Sequence, residues 1–213
     1  MVDQPRGRLQ RPSFRYCSMY GSKSLRETRR DRWPGDPAFW SMVCGDMMVF
    51  GVVFNIFMWD RSQDVATFIS GSRHLSEATG IVFTLLMLVS SWFVVMALHC
   101  ARSGRKQMGI WMVLLALASG LAFCVTKVVD YHQKVIQGFT PATNLFFTYY
   151  FAVTGMHLFH VIAAMVAMLF VLRRFCQGVM MPEDMKFVES VAVFWHLTDL
   201  LWVMIFALIY LVR

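Results

Sequence analysis

An all-α, polytopic membrane protein built as a bundle of five transmembrane helices is predicted by three properties of this 213-residue chain. Hydrophobic residues make up 57% of it and charged residues only 15%, too little polar surface to cover a water-soluble globule. The apolar residues are gathered into five long runs. The basic residues are gathered between them, mostly on one side of the implied membrane.

A helix needs about 20 mostly apolar residues to cross a hydrocarbon core of about 30 Å, at a rise of about 1.5 Å per residue. Five segments satisfy this: Phe39 to Trp59, Thr79 to His99, Met108 to Thr126, Asn144 to Leu172 and Val188 to Val212. They lack the period-two alternation of barrel strands, so helices are expected. With the N-terminus inside, the inner segments are the tail before Phe39, residues 100–107 and residues 173–187. These hold fifteen of the twenty Lys and Arg residues, which predicts an N-in, C-out topology. The same bias explains the net charge of +7 without nucleic acid, since the basic residues flank spans facing anionic headgroups. Residues 1–37, rich in Arg, Ser, Pro and Gly, are expected to be a disordered, basic cytoplasmic tail. Asp3, Glu27, Asp31 and Asp36 argue against a transit peptide. Residues 38–213 form the single transmembrane domain.

Within the spans, Gly45, Gly51, Ser90, Ser91, Ala116, Ser119 and Gly120 are candidate close-packing positions. Trp33, Trp40, Trp59 and Trp111 fall near span ends, where amphipathic rings favour the interface. Cys17, Cys44, Cys100, Cys124 and Cys176 are scattered singly, without the spacing of a metal knuckle or redox dithiol.

Ionisable side chains cost about 2.5 kcal/mol or more near the bilayer centre, so each one in a span should face a partner. Asp46 lies in the first span, His157 and His160 in the fourth, and His196 and Asp199 in the fifth. Lys127 and Asp130 sit at the end of the third. His157 and His160 occupy neighbouring sides of one helix, and His196 and Asp199 repeat the spacing. His160 and Asp199 reach similar depths, so a contact between the fourth and fifth helices is expected there. Asp46 has little polar company on its own helix and needs a partner from another helix or a water; it is either a protonated structural residue or a proton carrier. Lys127 and Asp130 read as an interfacial ion pair of little energetic weight. For the histidines three roles stay open: structural hydrogen bonding, a proton-relay or headgroup contact, and haem or metal ligation. His74, His99 and His132 belong near the membrane surfaces, which leaves few buried ligands; the expectation is no metal site and no catalytic residue.

The stretch Gly138 to Val161, GFTPATNLFFTYYFAVTGMHLFHV, resembles the subunit III signature of haem-copper oxidases, in which a Thr-Pro turn starts a helix reaching a Thr-Gly-x-His-x-x-His core. Phe194 to Leu211, FWHLTDLLWVMIFALIYL, is similar to that family's final helix, and SSWFVVMAL from Ser90 and KVVDY from Lys127 are weaker matches. Five helices fit a short form of the family. The segment PGDPAFWSMVCGDMMVFGVVF, with Asp46 where the oxidase subunits usually carry Glu, looks closer to the NorE-type accessory protein of nitric oxide reductase, and Asp130 likewise replaces a customary Glu. The resemblance implies a non-catalytic subunit of the bacterial inner membrane without a redox centre or cofactor of its own. It implies bound phospholipid and a catalytic haem-copper subunit as partner, supporting assembly, stability or the proton and lipid environment. The expected partner is a nitric oxide reductase. The alternative is a cytochrome c or quinol terminal oxidase. Two readings from other classes are a b-type haem-binding anchor using His157, His160 and His196, and a small proton-coupled transporter using Asp46 and Asp199.

Overall fold

The computed structural model describes residues 37–73, 75–177 and 182–211, without the side chains of 182 and 183. The expected tail, Trp33, His74 and Arg213 lie outside the described residues. Five long apolar helices, each able to cross a membrane, account for the five expected spans: α1 (Pro37–Gln63), α3 (Glu77–Arg102), α4 (Lys106–Ile136), α5 (Leu145–Gln177) and α6 (Pro182–Phe206). The last continues as a π-helical turn, Ala207–Leu211. No strand occurs among the described residues.

A sixth helix, α2 (Val65–Arg73), was not expected. The polar run Asp60 to Asp64 breaks the first span, and Asp64 then starts a new helix by accepting from the Thr67 amide at 3.2 Å and the Thr67 hydroxyl at 2.5 Å. The hydroxyl and then the amide hold the Asp64 carboxyl below the usual carboxylate range. Nine residues are too few to span a bilayer. Instead α2 buries Phe68 against Phe57 and Phe146, with ring centroids 5.3 and 5.9 Å apart.

Helices α3, α4, α5 and α6 pack in a ring, each against the next and α6 back against α3. Helices α1 and α2 lie outside it, against α5. The turn from α4 into α5 is set by Gly138, whose φ of 85° an L side chain rarely adopts. It is closed by Asn144, whose side-chain oxygen caps α5 through the Phe147 amide at 2.9 Å. At the opposite end of the ring, Arg102 pairs with Glu189 at 2.9 Å and Arg174 with Asp184 at 2.8 Å, tying α3 and α5 to α6.

Ser90, Ala116 and Gly120 are buried as expected, and Gly120 admits Trp195 to 3.2 Å of where a Cβ would stand. Gly45 and Gly51 are not close-packing positions, because nothing approaches within 4 Å of a Cβ built on either. The close approaches instead use Gly80, under Phe206 and Tyr210, and Gly109, under Phe175. Large aromatic rings fill the core around Phe83, Phe123, Tyr150 and Trp202, while the half toward the ion pairs is more aliphatic, around Val94, Val113, Ala164 and Val171.

Candidate functional site

The seven polar residues singled out in the sequence resolve into four places. At the α4–α5 turn end of the ring, Lys127 is 0% exposed and its partner Asp130 13% exposed. The Lys127 Nζ donates to Asp130 at 3.3 Å, to the Tyr150 hydroxyl at 2.8 Å and to the Tyr210 hydroxyl at 3.5 Å. Tyr150 in turn donates to Asp130. Around the ammonium stand the rings of Tyr150, Phe83, Tyr131 and Trp202, with centroids 4.6, 5.1, 5.2 and 5.5 Å away. Ring quadrupoles and one carboxylate thus replace water around a desolvated cation. The expected surface ion pair is in fact a buried cage fed by every helix of the ring. The π-helical turn contributes by carrying Tyr210, and such turns recur at functional sites. Tyr131 is itself held by a 2.6 Å hydrogen bond to Thr154.

The second place joins α1 to the ring. His160 Nε2 lies 2.9 Å from Asp46 Oδ1, and its Nδ1 lies 2.7 Å from the Met156 carbonyl oxygen one turn back. A carbonyl only accepts, so Nδ1 carries hydrogen. The contact with Asp46 then has two forms: an imidazolium donating to a carboxylate, or a protonated carboxyl donating to a neutral ring. One proton lies between the two side chains in either. The Phe50 ring covers this pair, 5.5 Å from the imidazole, and Asp46 Oδ2 is buried without a hydrogen bond.

This corrects the expected contact between His160 and Asp199, because depth along two helices does not fix which way their side chains are turned. Asp199 instead has His196, on its own helix, as its neighbour at 3.8 Å, too long for a hydrogen bond. His196 Nδ1 is bonded across to Ser91 of α3 at 2.7 Å, so Ser91 makes a hydrogen bond between helices as well as a small packing residue. Both Asp199 oxygens are buried and unpartnered.

His157 is the fourth. It is 0% exposed, its ring is 5.3 Å from Trp202 and 5.7 Å from Phe123, and neither nitrogen has a partner among the described residues. Among the described residues no three His, Cys, Asp or Glu side chains are gathered closely enough to hold a metal ion. Residues missed in the sequence are Tyr131, Tyr150, Thr154 and Tyr210. The signal available was a lysine in an apolar span with hydroxyl-bearing aromatic residues on the neighbouring helices.

The family model described as Cytochrome c oxidase subunit III matches residues 78–212, which takes in α3 to α6 and hence the whole ring. The chain belongs to the cytochrome c oxidase subunit III family. Among relatives, the subunit 3 of the cytochrome bo(3) ubiquinol oxidase of Pseudomonas aeruginosa is 26% identical over 173 residues, covering 81% of this chain and 82% of that subunit. Cytochrome c oxidase subunit 3 of Corynebacterium diphtheriae is 26% identical over 172 residues, covering 79% and 83%. That of Alkalihalophilus pseudofirmus is 27% identical over 176 residues, covering 81% and 84%. These names favour the terminal-oxidase alternative over the nitric oxide reductase reading drawn from the segment around Asp46. The matched region includes the lysine cage, His157, His160 and the Ser91–His196 contact, while Asp46 precedes it.

Proposed function

We propose that this multi-pass membrane protein is subunit III of a haem-copper terminal oxidase, fed by quinol or by cytochrome c, in a bacterial inner membrane. The observation that carries this is the family match across all four ring helices, together with relatives named as subunit 3 of both oxidase types. The chain binds no haem or copper of its own. Two of its buried polar clusters are matched within the chain in ways that favour structure and proton exchange over ligation: Lys127 with Asp130 and two tyrosines, and His160 with Asp46. Its work is to sustain the catalytic subunit, by holding it in the membrane with its phospholipid and by keeping an exchangeable proton at the Asp46–His160 pair.

The test is oxygen uptake by membranes lacking this chain, driven by quinol or by reduced cytochrome c, with the chain then restored. Restoration should return the amount of oxidase or the duration of its turnover, and Asp46→Leu should restore less than Asp46→Asn. Undiminished oxygen uptake without the chain, with nitric oxide reduction impaired instead, would overturn the oxidase assignment.

A further inference from the structure

At mid-depth in the bundle, one polar group faces outward rather than inward. His196 is the thirteenth residue of the 28-residue span Asp184–Leu211, roughly 18 Å along the axis from one end and 22 Å from the other. Ser91, its partner on α3, stands about 16 Å or more from both ends of Glu77–Arg102. Both depths are close to the centre of a hydrocarbon layer about 30 Å thick. The His196 side chain is nevertheless 37% exposed. Its Nδ1 is satisfied by Ser91 at 2.7 Å, while Nε2 has no hydrogen bond among the described residues. The Asp199 carboxyl, 3.8 Å from Nδ1 on the inner side, is likewise without a hydrogen bond.

An imidazole nitrogen presented to lipid chains at this depth is unfavourable, because hydrocarbon offers no partner. Phospholipid headgroups are half a membrane away. A polypeptide crossing the bilayer can bring a polar side chain to the required depth. Exposed apolar residues on the same two helices, Leu88 and Val95 on α3 and Leu200 and Val203 on α6, supply a surface against which a helix can pack on either side of the polar contact.

We propose that the outward seam between α3 and α6, centred on Ser91 and His196, is where the catalytic subunit docks, through a transmembrane helix that places a hydrogen-bonding side chain against His196 Nε2. This rests on the terminal-oxidase reading above and adds the docking face and its chemistry. Leu121 and Val125 of α4, exposed and apolar on a helix outside this seam, are left to lipid under this proposal.

The test places a photo-crosslinking amino acid, p-benzoylphenylalanine, singly at Val95, Leu200, Leu121 or Val125 in the full chain within its native membranes. Val95 and Leu200 should crosslink to the catalytic oxidase subunit, and Leu121 and Val125 should not. Beside it, His196→Gln should keep the chain in the detergent-purified complex better than His196→Leu, which should lower retention roughly threefold or more, as the loss of one hydrogen bond between membrane helices implies. If the oxidase subunit is caught from Leu121 or Val125 only, the docking face is wrong although the partner is right. Crosslinks from the seam to a second copy of this chain, or to no polypeptide in a complex that co-purifies intact, also overturn the proposal. Absence of any oxidase subunit from the purified material overturns the terminal-oxidase reading and the docking face together.

Discussion

Replacing Lys127 by Met separates the buried cage from an ordinary apolar core. The substitution keeps side-chain length and ring contacts but removes the charge that Asp130, Tyr150 and Tyr210 share. Two unit charges 3.3 Å apart attract by about 5 kcal/mol at an effective dielectric constant of about 20, from 332/(20 × 3.3). Desolvation of the ammonium offsets much of this when the pair forms. It is not recovered when one member is deleted, because the other stays behind unneutralised. Lys127→Met should therefore destabilise the bundle by about 3 kcal/mol or more, and Asp130→Asn should do similar damage by leaving the ammonium without its counter-charge. The double variant removes both charges and should lose about 2 kcal/mol less than the sum of the two single losses. The assay is unfolding in mixed micelles of increasing SDS content, followed by tryptophan fluorescence, which includes Trp202 of the cage. A Lys127→Met protein within about 0.5 kcal/mol of the unchanged one, or a double variant equal to the sum, would refute the cage as an electrostatic unit.

Asp46→Asn should be tolerated, because its amide can donate to His160 Nε2, whereas Asp46→Leu strands that nitrogen and should cost about 1 to 3 kcal/mol in the same unfolding assay. Equal stability of the two would show that the 2.9 Å contact carries no weight. His157→Leu should leave stability unchanged or raised, since it removes two buried, unpartnered nitrogens; a loss above about 2 kcal/mol would reveal a bonding partner for that ring. The Asp64 cap should act throughout the neutral range. Its carboxyl is held below the usual value when folded, so its stabilisation is present above the unfolded pKa of about 3.9 and is lost as pH falls through the lower folded value. Fraying of α2 by Asp64→Ala, read by hydrogen exchange, should therefore be insensitive to pH between about 6 and 8 once intrinsic exchange rates are corrected for. A reporter fused after Arg213 should be active only in a form that works outside the cytoplasm, and cytoplasmic activity there would overturn the N-in, C-out topology.

The five spans were legible because a lipid environment makes length and hydropathy nearly sufficient, and the two His-containing motifs pointed to the right family. Helix α2 was hidden because it has only nine residues and its one large buried side chain, Phe68, packs against rings from α1 and α5. The site was legible as a set of residues but not as contacts. Spacing on one helix paired Lys127 with Asp130 correctly, yet placed the lysine at a surface, because Tyr150 and Tyr210 approach it from 23 and 83 positions away. Asp46 and His160 were both singled out and not joined, since the rotation of α1 about its axis is set by Phe50 and Phe57 meeting rings on other elements. The π-helical turn that delivers Tyr210 has no signature in the run Ala207 to Leu211.

The central claim is tested most directly by affinity purification of the intact chain from its own membranes in a mild detergent, with mass spectrometry of the bound subunits and an optical spectrum of the eluate. The account predicts a stoichiometric catalytic subunit of a quinol or cytochrome c oxidase, with all haem lost from the eluate when that subunit is stripped away. A chain recovered with nitric oxide reductase subunits, or retaining haem after the partner is removed, would contradict it.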